Sequence, residues 1–272
     1  MTPKAKLSAL LRNWSLRPKR QVRDIQSPFQ WTQDKQALDI AQWAQSRQRD
    51  FLPIANLQTL ELLKVLYLPT LDCADEDALR LIQDGLDAAS YWSSLAKPRQ
   101  MIIPIRASWL EAERFLLALQ NKFANYHLAL GLIHMSIFNV PADGDKSLAH
   151  ALLKIKRLGI TLGIHYQGRQ EKVAELAHKK LLQFIDVDIS KLIDGLTHSE
   201  ALQQLLTLKS ICETSHVDCI VSGIEFISQR QLCLQAGLTW GYGNLIASPL
   251  DVGKIAQMHK MSTTWKDVHR WS

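Results

Sequence analysis

Residues 160–187 read ITLGIHYQGRQEKVAELAHKKLLQFIDV, and this stretch decides the fold class. Its two ends, 160–164 and 184–187, are short apolar runs of the kind that form buried strands. Between them, residues 171–182 carry apolar side chains at helical spacing. A helix between two short strands indicates a βαβ unit, in which the two strands run parallel.

The same alternation continues on both sides of this unit. Further strands are predicted at 101–105, 128–133 and 217–221, and further helices at 109–122, 145–158, 199–214 and 228–236. So many units in a chain of 272 residues favour a closed TIM-like (β/α) barrel over an open sheet. We predict an α/β barrel at 36–258, a basic helical N-terminal arm at 1–30, and a C-terminal tail at 259–272.

The positive charge of the chain is concentrated in the arm. Residues 1–24 carry seven Lys and Arg side chains against one carboxylate, and the net charge of the whole chain is +6. The remainder is therefore neutral, which argues against a nucleic-acid-binding surface on the barrel. Leu7, Leu10, Leu11 and Trp14 would share one face of a helix. This helix has two interpretations. It is either an amphipathic anchor that binds an anionic membrane surface or a groove on a partner, or a terminal helix that packs on its own domain.

Several function classes lack their signatures in this sequence. No apolar run approaches the ~20 residues of a membrane-spanning helix, and the basic N-terminus lacks the apolar segment of a secretory signal. No phosphate-binding loop, dinucleotide fingerprint, zinc-protease motif or serine-hydrolase elbow is present. The cysteines form no C-x-x-C pair, so we predict buried thiols in a reducing cytosol for Cys73, Cys212, Cys219 and Cys233.

Four landmarks of the C-terminal half follow one another in a recognisable order. Leu158–Gly168 is a Leu-Gly strand that leads into His-Tyr-Gln-Gly, and Asp186-Val187-Asp188 forms the next strand. Val221-Ser222-Gly223-Ile224-Glu225 follows, and Tyr242-Gly243 with Pro249-Leu250 closes the series. This order resembles the EAL domain, the bacterial fold that hydrolyses cyclic di-GMP. Its corresponding motifs are Asp-Asp-Phe-Gly, Lys-Ile-Asp, Ala-Glu-Gly-Val-Glu and Gln-Gly-Tyr with Pro-Leu.

The N-terminal half matches the same family more faintly. Leu52-Pro53-Ile54 stands at the family's Gln-Pro-Ile, and Lys64-Val65-Leu66 stands at the name-giving Glu-Ala-Leu. Residues 103–105 correspond to the strand with a metal-binding Asn, and residues 130–134 to the Glu-Ile-Thr-Glu strand. The resemblance covers about residues 38–255 and implies a barrel of EAL type.

The resemblance also implies a two-metal site for Mg²⁺ or Mn²⁺ at the strand ends, and there this sequence departs from the family. The positions of the metal ligands and of the water-positioning lysine are occupied, in chain order, by Lys64, Pro104, Gly131, His165, Tyr166, Asp186 and Ser222. Only Asp188 and Glu225 keep a family carboxylate. Two scattered carboxylates do not hold two metal ions. We therefore predict no catalytic residue, no metal ligand, no cofactor and no enzymatic activity.

Two binding alternatives remain open. Positions that contact the nucleotide in the family read Leu52, Leu68 and Tyr242, yet Lys64 and Arg106 are candidates to meet a phosphate of cyclic di-GMP. In addition, His134 and His165 are predicted at strand ends near Asp186 and Glu225, a donor set that suits Zn²⁺. The other interpretation is that both histidines are ordinary hydrogen-bonded residues.

A barrel whose structural signals outlast its catalytic ones is expected to act through its surface. The first hypothesis is a cytoplasmic regulatory or adaptor protein that binds a protein partner through the arm or the barrel mouth. The second is a non-hydrolysing cyclic di-GMP receptor, and a residual phosphodiesterase is a remote third. Membrane-peripheral recruitment through the arm is compatible with each, and no nucleic-acid partner is expected.

Overall fold

The computed structural model describes residues 50–68, 78–124, 126, 128, 130–141, 146–166, 168 and 170–258. The predicted arm, the first part of the predicted barrel domain and the predicted tail lie outside these residues. The eight strands are β1 Phe51–Asn56, β2 Leu62–Tyr67, β3 Gln100–Arg106, β4 Ile133–Phe138, β5 Thr161–His165, β6 Phe184–Asp188, β7 Asp218–Ser222 and β8 Trp240–Gly241. The α-helices are α1 Ala78–Ser94, α2 Glu113–Ala124, α3 Lys146–Arg157, α4 Gln170–His178, α5 Ile189–Ile193, α6 His198–Ser215, α7 Ile227–Gln235 and α8 Val252–Gln257.

The strands close into one barrel in chain order, which confirms the predicted architecture. Strands β2 to β8 run parallel to one another, whereas β1 is antiparallel to both β2 and β8. The carboxyl ends of seven strands therefore meet at one end of the barrel, called the mouth below. In barrels of this kind that end carries the functional site.

The helices cover the barrel through regularly spaced apolar positions. Helix α3 buries Leu148, Ala151, Leu152 and Ile155, which recur every three or four residues and form one face. Helix α6 is capped by Thr197, whose hydroxyl accepts from the Glu200 backbone N–H while the Glu200 carboxylate accepts from the Thr197 N–H. No helix within the described ranges combines the length and apolar character that crossing a membrane requires.

A second apolar cluster fills the barrel itself. It consists of inward-facing side chains from alternate strand positions, namely Leu52, Ile54, Leu66, Ile102, Phe184, Ile220 and Tyr242. Gly163 leaves room for the Phe184 ring, because a Cβ on this glycine would lie 2.3 Å from a ring carbon. The interior is thus a packed core, and its mouth end opens into a cavity.

The predicted strand at 128–133 was misplaced. Leu130–Leu132 forms a short 3₁₀ turn, and the strand is Ile133–Phe138. His134 and Ser136 interrupt the apolar pattern of this segment, and both side chains are buried. The barrel interior accommodates these polar residues, so the strand continues beyond the point where the apolar run in the sequence ends.

Two of the predicted helices differ from the observed ones in their bounds, whereas the described cysteines are as predicted. The predicted helix 109–122 is a 3₁₀ turn at Ala107–Glu111 followed by α2, and the helix predicted at 171–182 ends at His178. Lys180, two residues later, has a positive φ of 54° that a helix does not continue through. Cys212, Cys219 and Cys233 are free and buried, as predicted, and Cys73 lies outside the described residues.

Candidate functional site

A cavity of about 830 Å³ opens at the mouth of the barrel. Residues at or just beyond the carboxyl ends of β2 to β6, together with α5 and Tyr242, form its wall. The apolar and aromatic residues of the wall are Leu66, Tyr67, Leu68, Pro104, Phe138, Tyr166, Leu192 and Tyr242. The polar residues of the wall are Ser136, Asn139, His165, Asp186, Asp188 and Lys191. This volume lies within the range of small-molecule sites.

Asp186 and Tyr242 form a buried, hydrogen-bonded pair in the cavity wall. The Tyr242 hydroxyl donates to Oδ2 of Asp186 at 2.7 Å. Asp186 is 7% exposed and Tyr242 is 9% exposed. The other carboxylate oxygen, Oδ1, has no hydrogen-bond partner among the described residues. A buried carboxylate with one unsatisfied oxygen is costly for the fold.

Burial dominates the acid–base properties of this pair. It raises the pKa of Asp186, and the Tyr242 hydroxyl, His165 and Ser222 only partly oppose that shift. Burial together with the neighbouring carboxylate also raises the pKa of Tyr242 well above its usual value. The tyrosine therefore remains a hydrogen-bond donor at neutral pH.

Asp188, two residues further along β6, is tied into the local structure. Its Oδ1 accepts from the backbone N–H and the hydroxyl of Ser190, at 3.1 and 2.6 Å, and so caps α5. Its Oδ2 lies 3.4 Å from the ammonium of Lys191. Hydrogen bonds from Ser190 and the Lys191 charge lower the pKa of Asp188, although desolvation acts in the opposite direction. Both carboxylate oxygens therefore have partners within the chain.

Several predicted site positions do meet at the cavity. Pro104, His165, Tyr166, Asp186 and Asp188 all line it. Two further predicted nucleotide-contact positions, Leu68 and Tyr242, line it as well. Ser222 is buried opposite Asp188 in the strand register, and Leu52 belongs to the interior cluster.

Glu225 does not lie with the other predicted site residues at the cavity. It follows β7, its side chain is exposed, and its backbone N–H donates to Oε1 of Gln229 at 2.8 Å. It is not among the residues that form the cavity wall.

Lys64 was placed at the wrong end of the barrel. It lies two residues before Leu66, the β2 side chain that lines the cavity, and it pairs with Gln100 at the start of β3. Its ammonium lies 5.6 Å from the ring centre of Phe184 and 5.0 Å from that of Trp240, the first residues of β6 and β8. Lys64 therefore cannot meet a phosphate at the mouth.

Arg106 and Gly131 also differ from their predicted roles. Arg106 ends β3 with its guanidinium 5.7 Å from the Trp109 ring, and it does not line the cavity. Gly131 lies in the turn before β4, whereas Ser136 pairs with Pro104 in the register and lines the cavity. Ser136 is thus the β4 residue at the level where a metal ligand was sought.

The zinc hypothesis is wrong in its geometry. His134 pairs with Thr161, whereas His165 lies four residues further along β5, so about 13 Å of strand separates their levels. His134 is 4% exposed, and burial with the nearby Lys64 charge lowers its pKa to about 4. Among the described residues, no three His, Cys, Asp or Glu side chains are grouped so that they could hold a metal ion.

The mouth also does not fit the two hard divalent cations that the resemblance implied. Such ions take several carboxylate and amide oxygens. The strand residues that line the cavity include Leu66, Pro104, Ser136, His165 and Asp186, and Asp186 already accepts from Tyr242. Of the two nearby candidates, Asp188 has both oxygens engaged and Asn139 lies beyond the end of β4.

Sequence reasoning missed Leu66, Ser136, Phe138 and Asn139 as mouth residues. Strict alternation from His134 through Ser136 to Phe138 was the available signal, because strand side chains point to opposite faces in turn. The misplaced boundary of β4 hid that signal. Lys191 and Leu192 lie on α5, a helix that was not predicted.

Comparison with known proteins identifies the fold. None of the protein-family models and none of the curated proteins compared matches this sequence. The EAL domain of Mycobacterium smegmatis DcpA is 15% identical and covers 78% of this chain and 95% of its own, with a TM-score of 0.67. The PaMucR phosphodiesterase in its c-di-GMP complex is 14% identical over 75% of this chain and 97% of its own, with a TM-score of 0.62.

The EAL domain of Xanthomonas citri FimX, solved in complex with c-di-GMP, is 10% identical. It covers 81% of this chain and 96% of its own, with a TM-score of 0.61. At such identities the likeness establishes the fold alone. The described barrel is a closed mixed barrel of EAL type.

Proposed function

We propose that this chain is a catalytically inactive EAL-type regulatory protein that acts in the bacterial cytoplasm by binding a protein partner. The composition of the barrel mouth is the observation that carries the proposal. A leucine, a proline, a serine and a histidine stand at its strand ends. Of the two carboxylates beside them, Asp186 is bonded to Tyr242, and Asp188 is engaged by Ser190 and Lys191. This set offers a recessed, largely apolar recognition surface rather than oxygen ligands for catalytic metals.

The direct test is incubation of the full-length chain with cyclic di-GMP in Mg²⁺ and in Mn²⁺, followed by chromatographic analysis of the products. The PaMucR phosphodiesterase, assayed in parallel, serves as the positive control. We expect intact cyclic di-GMP after prolonged incubation with this chain. Linear dinucleotide at a rate proportional to protein concentration would revive the residual phosphodiesterase and overturn the proposal.

Partner binding is tested with the full-length chain as bait in crosslinked cells. Two matched variants accompany it. One lacks residues 1–24, and the other carries Leu192→Trp, which places a larger side chain in the cavity wall. Loss of a captured protein with only one variant assigns the contact to the arm or to the mouth. Capture that is indifferent to both would refute binding through either element.

A non-hydrolysing receptor for cyclic di-GMP is the second candidate. It is favoured by two solved neighbours that carry this nucleotide on the same fold. Among the described residues, Lys191 is the one lysine or arginine that lines the cavity, and Asp188 already pairs with it. Titration calorimetry with cyclic di-GMP decides between the candidates. Binding that weakens on Lys191→Ala supports the receptor, and absence of heat with and without Mg²⁺ excludes it.

A further inference from the structure

A groove of about 420 Å³ lies between α2 and α3 on the outside of the barrel, and it shares no lining residue with the mouth cavity. Leu119 and Ile155 line it and are fully buried, so they form its floor. Leu116 and Leu158 are partly buried in its walls. Leu117 also lines it, yet this residue is 57% exposed. The groove is therefore an apolar surface that the described residues leave open to solvent.

The walls of this groove suit a helix. The α2 residues that line it include positions 113, 116, 117 and 120, which have the i, i+3, i+4, i+7 spacing of one helix face. From 113 to 120 this face rises about 10 Å, the length of about two turns of a partner helix. The backbone groups of a helix are bonded within it, so these walls offer no strand edge for a partner to extend. A partner helix with an apolar face matches this geometry.

The charges along the groove determine the sign of the partner. Glu113 and Lys154 both line it, and their charged groups lie 3.4 Å apart, so each largely satisfies the other. Arg157 lines it as well, is exposed, and has no carboxylate partner among the described residues. The groove therefore presents one unpaired positive charge, which attracts a partner that carries carboxylates.

Two occupants that this chain itself could supply have the wrong charge. Residues 1–24 carry seven Lys and Arg side chains against one carboxylate. A second copy of the chain has a net charge of +6. Both are like-charged with the unpaired Arg157, and like charges at a contact lower affinity. Charge complementarity thus favours a different, acidic protein.

We infer that the groove between α2 and α3 is a docking surface for an amphipathic helix of a protein partner. That helix has large apolar side chains at i, i+3, i+4 and i+7 on one face, and acidic side chains beside this face. The inference rests on the proposed function, since it gives the protein partner proposed there a binding surface of its own. It adds the groove to the arm and the mouth as a place of contact.

Three synthetic peptides of about 18 residues, or about five helical turns, test the class of partner. The acidic peptide has leucines at the stated spacing and glutamates beside them. The basic peptide has lysines in place of the glutamates, and the scrambled peptide has the acidic composition with its leucines spread around the helix. Fluorescence anisotropy of the labelled peptides measures their affinities for the full-length chain. We expect the acidic peptide to bind at least about 5-fold more tightly than either control, the factor that a favourable surface ion pair supplies.

Leu117→Glu tests the location of binding. It places a carboxylate on the apolar wall, so the acidic peptide should bind at least about 10-fold more weakly. Leu206→Glu is the matched control, because Leu206 is 41% exposed on α6 and does not line the groove. Both leucines are exposed, so neither substitution removes a buried core side chain. The control should bind the acidic peptide as the wild type does.

Arg157→Glu tests the charge. It should reverse the order of the two charged peptides, so that the basic peptide binds more tightly than the acidic one. Arg114→Glu is the matched control, since Arg114 is exposed on α2, lies outside the groove and undergoes the same change in charge. This control should keep the wild-type order of affinities.

Three results would overturn the inference. They are no binding of the acidic peptide, equal affinity for all three peptides, and binding that neither Leu117→Glu nor Arg157→Glu changes, which would place the peptide elsewhere on the chain. Each of them would leave the proposed function standing. Turnover of cyclic di-GMP would instead refute the proposed function, whatever the peptides do.

Discussion

The Tyr242 hydroxyl lies 2.7 Å from Oδ2 of Asp186 and joins the last strand region of the barrel to β6. Both residues are nearly buried, and both line the cavity at the mouth. Their hydrogen bond ties these two parts of the cavity wall together.

Tyr242→Phe should lower the free energy of unfolding by about 1–3 kcal/mol at pH 8, because it leaves a second carboxylate oxygen unsatisfied in the core. Burial raises the pKa of Asp186, so acidification protonates the carboxyl and reduces its need for a donor. The cost of the substitution should therefore be smaller at pH 4. Urea unfolding at both pH values measures this. A cost that is independent of pH would contradict the assignment to Asp186, and the same series in an Asp186→Asn background should show none of the pH dependence.

His134 should make the fold sensitive to acid. Burial and the Lys64 charge hold its pKa at about 4, below the unfolded value of 6.5. The unfolded chain therefore binds more protons between these values, so stability is complete above pH 6.5 and falls as the pH drops. Between pH 7.5 and pH 5 the loss attributable to His134 is about 2 kcal/mol.

His134→Leu should remove that part of the pH dependence in denaturant unfolding. His178→Gln is the control, because His178 is exposed at the end of α4. If the two variants keep the same slope of stability against pH, the assignment to His134 is wrong.

Lys64→Met should leave the chain at least as stable as the wild type at pH 7. Desolvation lowers the pKa of Lys64, which means that the folded state opposes its charge, although Asp218 offsets this in part. Methionine keeps the length of the side chain between the Phe184 and Trp240 rings without that charge. A loss above about 1 kcal/mol would show that the contacts of the ammonium with the two rings outweigh its desolvation.

The same variant should also raise the pKa of His134, because the Lys64 charge disfavours the imidazolium. NMR titration of the His134 ring protons measures this shift directly. An unchanged pKa would mean that burial alone sets the value.

Gly243→Ala should destabilise the barrel severely, by at least about 3 kcal/mol. Gly243 has a φ of 153°, and a Cβ there would lie 2.3 Å from the carbonyl oxygen and 2.4 Å from the nitrogen of Ile224. Since these are backbone atoms, the two segments after β7 and β8 must separate. Gly131→Ala is the control, because a Cβ on Gly131 meets nothing within 4 Å. Thermal unfolding compares the two, and equal stability would contradict the packing of these segments.

The sequence by itself determined the alternation of strands and helices, the closed barrel and the order of landmarks from Leu158 to Leu250. These features depend on signals that lie within short stretches of sequence, such as the apolar face of α3 and the glycine at position 243. The resemblance to EAL domains, rather than these signals, predicted Pro104, His165, Asp186 and Tyr242 at the site, and all four line the cavity.

The tertiary structure alone decided which residues share a level of the barrel. Leu66 rather than Lys64, and Ser136 rather than Gly131, reach the mouth, while His134 and His165 end far apart. Side chains two residues apart in a strand point to the same face, so the alternation of apolar and polar residues does not distinguish Lys64 from Leu66. Their heights are set by pairing with strands that are distant in the sequence, and the hydrogen bond from Tyr242 to Asp186 exists only once the barrel has closed.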